Sequence, residues 1–253
     1  MSDIEVQSAA GQAPSLTQWQ RVADVFSAPS KTFEDIKRGN RSWWLPFIIM
    51  AIFGYVLFAA VSTKIGMQQA VDNQIHMNPA QEEKLAQAPP EQREMARKVS
   101  LGITEGIFIA NPLFLLAVFA LSSLVVMATI NFGFGGRAKF GSVFSVWMYA
   151  SLPGVIKVIL GTIVIFVGMA PESFNLKNYA PTNIGAFLNP MDTNKALYTL
   201  ASALDIVTIW TLVLLGMGVA IVAGVKRSSG YIAIFGWWAL IVAISAGWAA
   251  MMG

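Results

Sequence analysis

The chain has 253 residues, of which 55% are hydrophobic and only 12% charged, with a formal net charge of +3. A water-soluble domain carries about 25% charged residues, so this chain has too few charges to cover a solvated surface. Mean hydropathy is +0.59 and the isoelectric point is near 9.2, a basic balance better explained by positive cytoplasmic loops than by nucleic-acid binding. 

Residues 1–14 (MSDIEVQSAAGQAP) are small and polar, with no apolar period, and are expected to form a flexible tail. They do not read as a signal peptide, because the first long apolar run begins only at Trp43. Residues 15–42 change character. Leu16, Trp19, Val22, Val25 and Phe26 recur at helical spacing, with Ser15 as the expected N-cap. After Pro29, a second short helix carries Phe33 and Ile36 beside Lys31, Lys37, Arg38 and Arg41. Such a segment suits either an anionic bilayer surface, with Trp19 and Phe33 as interfacial anchors, or the protein's own cytoplasmic face.

Five apolar runs follow, at about 43–63, 107–130, 142–170, 196–224 and 231–252. Each exceeds the roughly 20 residues that span about 30 Å of hydrocarbon at a rise of about 1.5 Å per residue. Trp43 and Trp44 stand where an interfacial aromatic belt belongs. Pro153-Gly154 interrupts the third run, and Asn111-Pro112 predicts a kink near the start of the second. Segment 64–106 is polar. Asn78-Pro79-Ala80-Gln81 starts a helix, Pro89-Pro90 stops it, and Glu91 opens another that is expected to continue into the second span. The fold class is therefore all-α: a polytopic transmembrane bundle of five spans, with N-terminal amphipathic helices and a short extracytoplasmic helical segment.

Orientation follows from the short loops. Arg137 and Lys139 lie in one hairpin turn and Lys226 and Arg227 in the other, with no acid in either. Short basic loops remain cytoplasmic, so the N-terminus is expected inside a cell (inner or plasma) membrane and the C-terminus outside. The two Gly-plus-base hairpins, NFGFGGRAKFG and GVKRSSG, also form a weak parallel repeat of the kind found in some transporters.

Lys157 and Asp205 are the ionisable side chains, tyrosines apart, that fall well inside the spans. Counted along continuous helices from Gly168 and Ala196, they lie about 16 and 13 Å from the outer ends of two antiparallel neighbours. Each alone would cost about 2.5–3.5 kcal/mol in the bilayer, so an intramembrane ion pair is expected, either as a fixed clamp or as part of a polar path. The Gly133–Gly136 stretch matches no phosphate-binding pattern and reads as a tight turn. His76, the single histidine, has no spaced partner for a metal. No catalytic motif, cofactor site or metal site is expected, and therefore no enzyme.

The run GGRAKFGSVFSVWMYASLPGV, with Tyr149 and Pro153 four apart and Gly154 following, resembles the Yip family of Ypt/Rab-interacting membrane proteins, most closely its bacterial branch. Met148 stands where that family has Gly, and Asp24-Val-Phe-Ser-Ala-Pro29 echoes its cytoplasmic Asp-Leu-Tyr-Gly-Pro element with one extra residue and no Gly. The resemblance covers roughly residues 20–250 and implies a helical bundle with a cytosolic N-terminus. Eukaryotic relatives act in vesicle traffic, but the element that differs here is the cytoplasmic one, so that role is not transferred. Two readings stay open: a non-enzymatic scaffold or adaptor in the bilayer, partnered by a second copy or another membrane protein, or a small transporter or transporter subunit with a polar path at Lys157 and Asp205.

Overall fold

A computed structural model describes residues 15–251; the tail expected at 1–14 lies outside them. Among the described residues the regular elements are all helices, with no sheet and one isolated antiparallel bridge, Asn183 to Asp205. Helices α1 (Gln18–Ser27) and α2 (Pro29–Lys37) form an N-terminal hairpin. Helix α3 (Trp44–Ala60) runs into a π turn at Val61–Ile65, and α4 (Met67–His76), α5 (Pro79–Gln87) and α6 (Pro90–Ile109) follow. Helix α7 (Asn111–Ala128) ends in a second π turn, Thr129–Gly133. The remaining helices are α8 (Phe140–Ala150), α9 (Pro153–Val167), α10 (Lys195–Ala203), α11 (Ile206–Ala223) and α12 (Arg227–Met251).

Five of these stretches are long and apolar enough to cross a membrane: Trp44–Ile65, Asn111–Gly133, Phe140–Val167, Ile206–Ala223 and Arg227–Met251, with mean hydropathies of 1.9–2.6. Over half of the fourth (56%) is buried, against 17–28% of the others, so α11 is the axis around which the bundle is arranged. Its closest neighbour is α12. A Cβ on Gly230 would collide with the Gly216 carbonyl and sit 2.8 Å from the Ala220 Cβ, so bare glycine lets these two backbones approach.

Several expected boundaries differ, each for a local reason. Thr17, not Ser15, caps α1, because Gln20 completes a capping box with Thr17: Gln20 N–H donates to Thr17 Oγ1 (3.2 Å) and Thr17 N–H to Gln20 Oε1 (2.8 Å). Helix α6 does not continue into the second span. Pro112 stands at the start of α7, and the chain breaks at Ala110, so the span begins at Asn111 rather than 107. The fourth apolar run is not one helix from 196: α10 ends at Ala203 and a new helix starts at Ile206.

The short loops close one end of the bundle, here termed basal. The Asn131 carboxamide clamps Ala138, accepting from its N–H (2.8 Å) and donating to its carbonyl (3.0 Å), around a turn in which Gly135 has φ +68°. Arg137 N–H donates to the Ala223 carbonyl (3.0 Å), tying this loop to the end of α11, where Gly224 takes the left-handed conformation at φ +71°. All four loop bases are therefore gathered basally. Helices α4–α6 and the segment 168–194 close the distal end, with a separate core of Leu57, Val61, Ile65, Ala70, Ile165 and Phe174. On α6, Met95, Val99, Ile103 and Ile107 leave an apolar stripe exposed.

Candidate functional site

Two buried polar centres stand out, one at each level of the bundle. The upper one forms where two spans break side by side. Tyr149-Ala-Ser-Leu-Pro153 ends α8 and starts α9: Pro153 has no N–H to donate, and the chain turns through Ser151 and Leu152, with Leu152 N–H donating to Tyr149 O (3.2 Å) and Gly154 N–H to Ser151 O (2.9 Å). Gly154 and Ser151 line a cavity of about 270 Å³ shared with Gly54, Asn111, Leu115 and Tyr179. A Cβ at Gly154 would meet nothing within 4 Å, so this glycine opens space rather than permitting a close contact.

In the neighbouring span, Asp205 is the N-cap of α11, its Oδ1 accepting from Thr208 N–H (2.8 Å). Its Oδ2 accepts from Thr182 Oγ1 (2.6 Å) and from Lys157 Nζ (2.9 Å). Ile206 N–H donates to Thr182 O (3.0 Å), which pins the break against segment 180–187. The structure thus brings Lys157 and Asp205 together, and also places Asp205 at a helix start, where the dipole favours a negative charge. The Asp205 side chain is only 2% exposed and that of Lys157 24%. A cavity beside Thr182 and Asn183 is walled mainly by apolar side chains such as Ile156, Leu160 and Trp210; neither Lys157 nor Asp205 lines it. One turn above Lys157, the Tyr179 ring lies on Gly161, whose missing side chain leaves it room. Burial, and then the Asp205 carboxylate, push the Tyr179 hydroxyl up to about 12.

The basal centre had no expectation attached to it. Arg21 and Asp35 are each 1% exposed, with Nε and Oδ2 3.7 Å apart. Arg21 Nη1 donates to Asn40 O (2.6 Å), and its guanidinium lies 5.0 Å from the centre of the Tyr149 ring. Asp35 accepts from Leu16 N–H (3.1 Å), Arg38 Nη2 (3.1 Å) and Asn40 Nδ2 (2.9 Å). The Tyr149 hydroxyl donates to Ser42 O and Ser145 Oγ to Arg41 O, so α8 grips the chain entering the first span. For Arg21 the available signal was positional, since it lies four before Val25 and so on the same helical face; Asp35 offered none, because residues one and two away, such as Ile36 and Phe33, do not share its face.

The expected anchors divide. Trp19 is 67% exposed; Trp44 is exposed and Trp43 half-buried, their rings stacked 4.1 Å apart at the start of the first span. Phe33 is not an interfacial anchor. It is fully buried, its ring seated over Gly218 of α11 beside Val146, because α2 packs into the bundle with its apolar face inward. His76 Nδ1 meets Glu82 Oε1 at 2.8 Å on the distal surface, a pairing that the spacing did not suggest.

No curated protein and no solved structure matches the chain. The model of the Yip1 domain matches residues 23–249, which takes in the basal hairpin from the middle of α1 onward, both helix breaks, the first four spans and all but the last two residues of the fifth. A match over nearly the whole length of a five-span all-α membrane protein identifies this chain as a member of the Yip1 domain family.

Proposed function

We propose that this multi-pass membrane protein is a non-enzymatic scaffold, with the basal face in the cytoplasm of a bacterial cell and the C-terminus on the far side of its inner membrane. The observation that carries the reading is the closure of the Lys157–Asp205 centre. The carboxylate holds three donors and lines neither the cavity beside Thr182 nor the one at Gly154, as suits a clamp better than a relay. The gathering of Arg137, Lys139, Lys226 and Arg227 at the basal end supports the orientation. Partner contacts fall to the surfaces the bundle leaves open, Trp19 and Phe26 of the hairpin among them.

A small transporter or transporter subunit is the second reading. It draws on the two adjacent helix breaks and the cavity at Ser151 and Gly154, since transporters build sites from discontinuous helices. Site-specific photocrosslinking from position 19 in native membranes tests the two. A scaffold gives one discrete protein adduct, with another membrane protein or a second copy. Lipid adducts alone, together with Lys157-dependent ion or solute flux in proteoliposomes, would refute the scaffold.

A further inference from the structure

The distal end carries two adjoining cavities whose chemistry differs from the rest of that surface. One, of about 530 Å³, is walled by the carboxamides of Gln74, Asn175 and Asn178, the hydroxyls of Tyr198 and Thr199, and Lys177. The other, of about 440 Å³, shares Asn78, Gln81, Lys177 and Lys195 with it and adds Lys84 and Trp248. Among the described residues, no Asp or Glu lines either cavity. The contrast is with the cleft on the other side of α4 and α5, which carries Asp72, Glu82 and Glu172.

The walls are built rather than incidental. Gln74 Nε2 donates to Asn175 Oδ1 (3.3 Å), and Asn175 Nδ2 and Asn178 Nδ2 both donate to the Tyr198 hydroxyl (3.1 and 3.2 Å). This chain of bonds joins α4, segment 171–194 and α10, and holds neutral donors and acceptors at fixed positions. Ser202, which also lines the larger cavity, has a buried hydroxyl with no hydrogen-bond partner among the described residues. Such an orphaned group is costly unless a ligand or water meets it. Trp248, 60% exposed, lies in the last turn of the fifth span, the level at which tryptophans sit in the membrane interface.

We propose that these paired cavities bind a phosphate group bearing neighbouring hydroxyls, as in a polyol phosphate. Lysine ammonium groups would hold the phosphate, while carboxamides, which donate and accept, would hold the hydroxyls. The same chemistry is offered by the headgroup of a glycerol-bearing anionic phospholipid and by a free polyol phosphate. The position of Trp248 favours the lipid.

The test uses the full-length protein, purified in a neutral detergent and stripped of lipid. Short-chain phosphatidylglycerol, short-chain phosphatidylcholine and glycerol 3-phosphate are titrated separately, with binding followed by tryptophan fluorescence and by thermal shift. Phosphatidylglycerol should bind, phosphatidylcholine should bind at least ten-fold more weakly, and added salt should weaken the former. Lys84→Gln with Lys177→Gln should lower the phosphatidylglycerol affinity about ten- to thirty-fold at an unchanged ligand-free Tm. Lys98→Gln, on the same end but away from both cavities, should leave it unchanged. Glycerol 3-phosphate binding as tightly as the lipid assigns the site to a soluble polyol phosphate; binding of the lipid alone assigns it to the headgroup. Equal affinity for both lipids, or an affinity that the Lys84/Lys177 pair does not alter, overturns the proposal.

Discussion

Lys157→Met removes one of the three donors to Asp205 and leaves a carboxylate that is 2% exposed. Breaking a buried ion pair costs about 3–5 kcal/mol. Two features reduce that figure here: Thr182 Oγ1 and Thr208 N–H remain on the carboxylate, and the lysine is itself 24% exposed. The one bond lost is charge-assisted and worth about 1.5–3 kcal/mol, so with the carboxylate still held by two donors the net loss should be about 2–3 kcal/mol. The compensating change must respect the second task of Asp205. A leucine there would remove the cap of α11 as well as the charge, whereas Asp205→Asn retains a cap acceptor and a partner for Thr182. Lys157→Met with Asp205→Asn should therefore regain at least 1 kcal/mol over the single Lys157→Met change. Unfolding in mixed micelles, followed by tryptophan fluorescence, measures both. At about 2–4 °C per kcal/mol for a chain of this size, the single variant should melt about 4–12 °C lower. A double variant no more stable than the single one would refute the pairing as an energetic unit.

Arg21→Met should cost about 3 kcal/mol and expose the N-terminal hairpin to limited proteolysis; Arg21→Lys should restore little, since lysine lacks the planar fork that reaches Asn40 while lying over Tyr149. Gly218→Ala places a methyl group 2.6 Å from Val146 Cγ1 and 3.0 Å from the Phe33 ring. It should destabilise by about 1–3 kcal/mol, and Phe33→Leu in the same chain should recover part of that. Tyr179 has a folded-state pKa raised to about 12 against an ordinary 10.0. A raised pKa means the folded state holds its proton more tightly, so this stabilisation is complete below pH 10 and lost as pH rises towards 12; phenolate absorbance of wild type against Tyr179→Phe checks it. Reporter fusions after Lys139 and Lys226 should report cytoplasm, and a fusion at the C-terminus the opposite side.

Much of the architecture was legible because hydrocarbon imposes length and composition limits that a chain cannot disguise. The polar segment between the first two spans and the breaks at Pro112 and Pro153 could be read because proline acts locally, through its missing N–H. The pairing of Lys157 with Asp205 could be expected because a lone charge in a span is so costly that few arrangements tolerate it. The break before Asp205 left no such mark. No proline or glycine stands at Leu204, and the helix ends there because Asp205 caps α11 and bridges to Asn183, a partner 22 residues earlier.

The sequence alone determined that this is an all-α membrane protein with five apolar crossings, because bilayer thickness and the positions of charges act on each segment separately. Only the tertiary structure decided that the N-terminal hairpin belongs to the core. Periodicity marks an apolar face but does not say whether lipid, water-side protein or the bundle itself covers it. Here Gly218 leaves a seat for Phe33, and Asp35, Asn40 and Tyr149 leave one for Arg21, so the hairpin is bolted inward. That depends on Phe33 meeting Gly218 and Arg21 meeting Tyr149, each more than a hundred positions away, which no local pattern encodes.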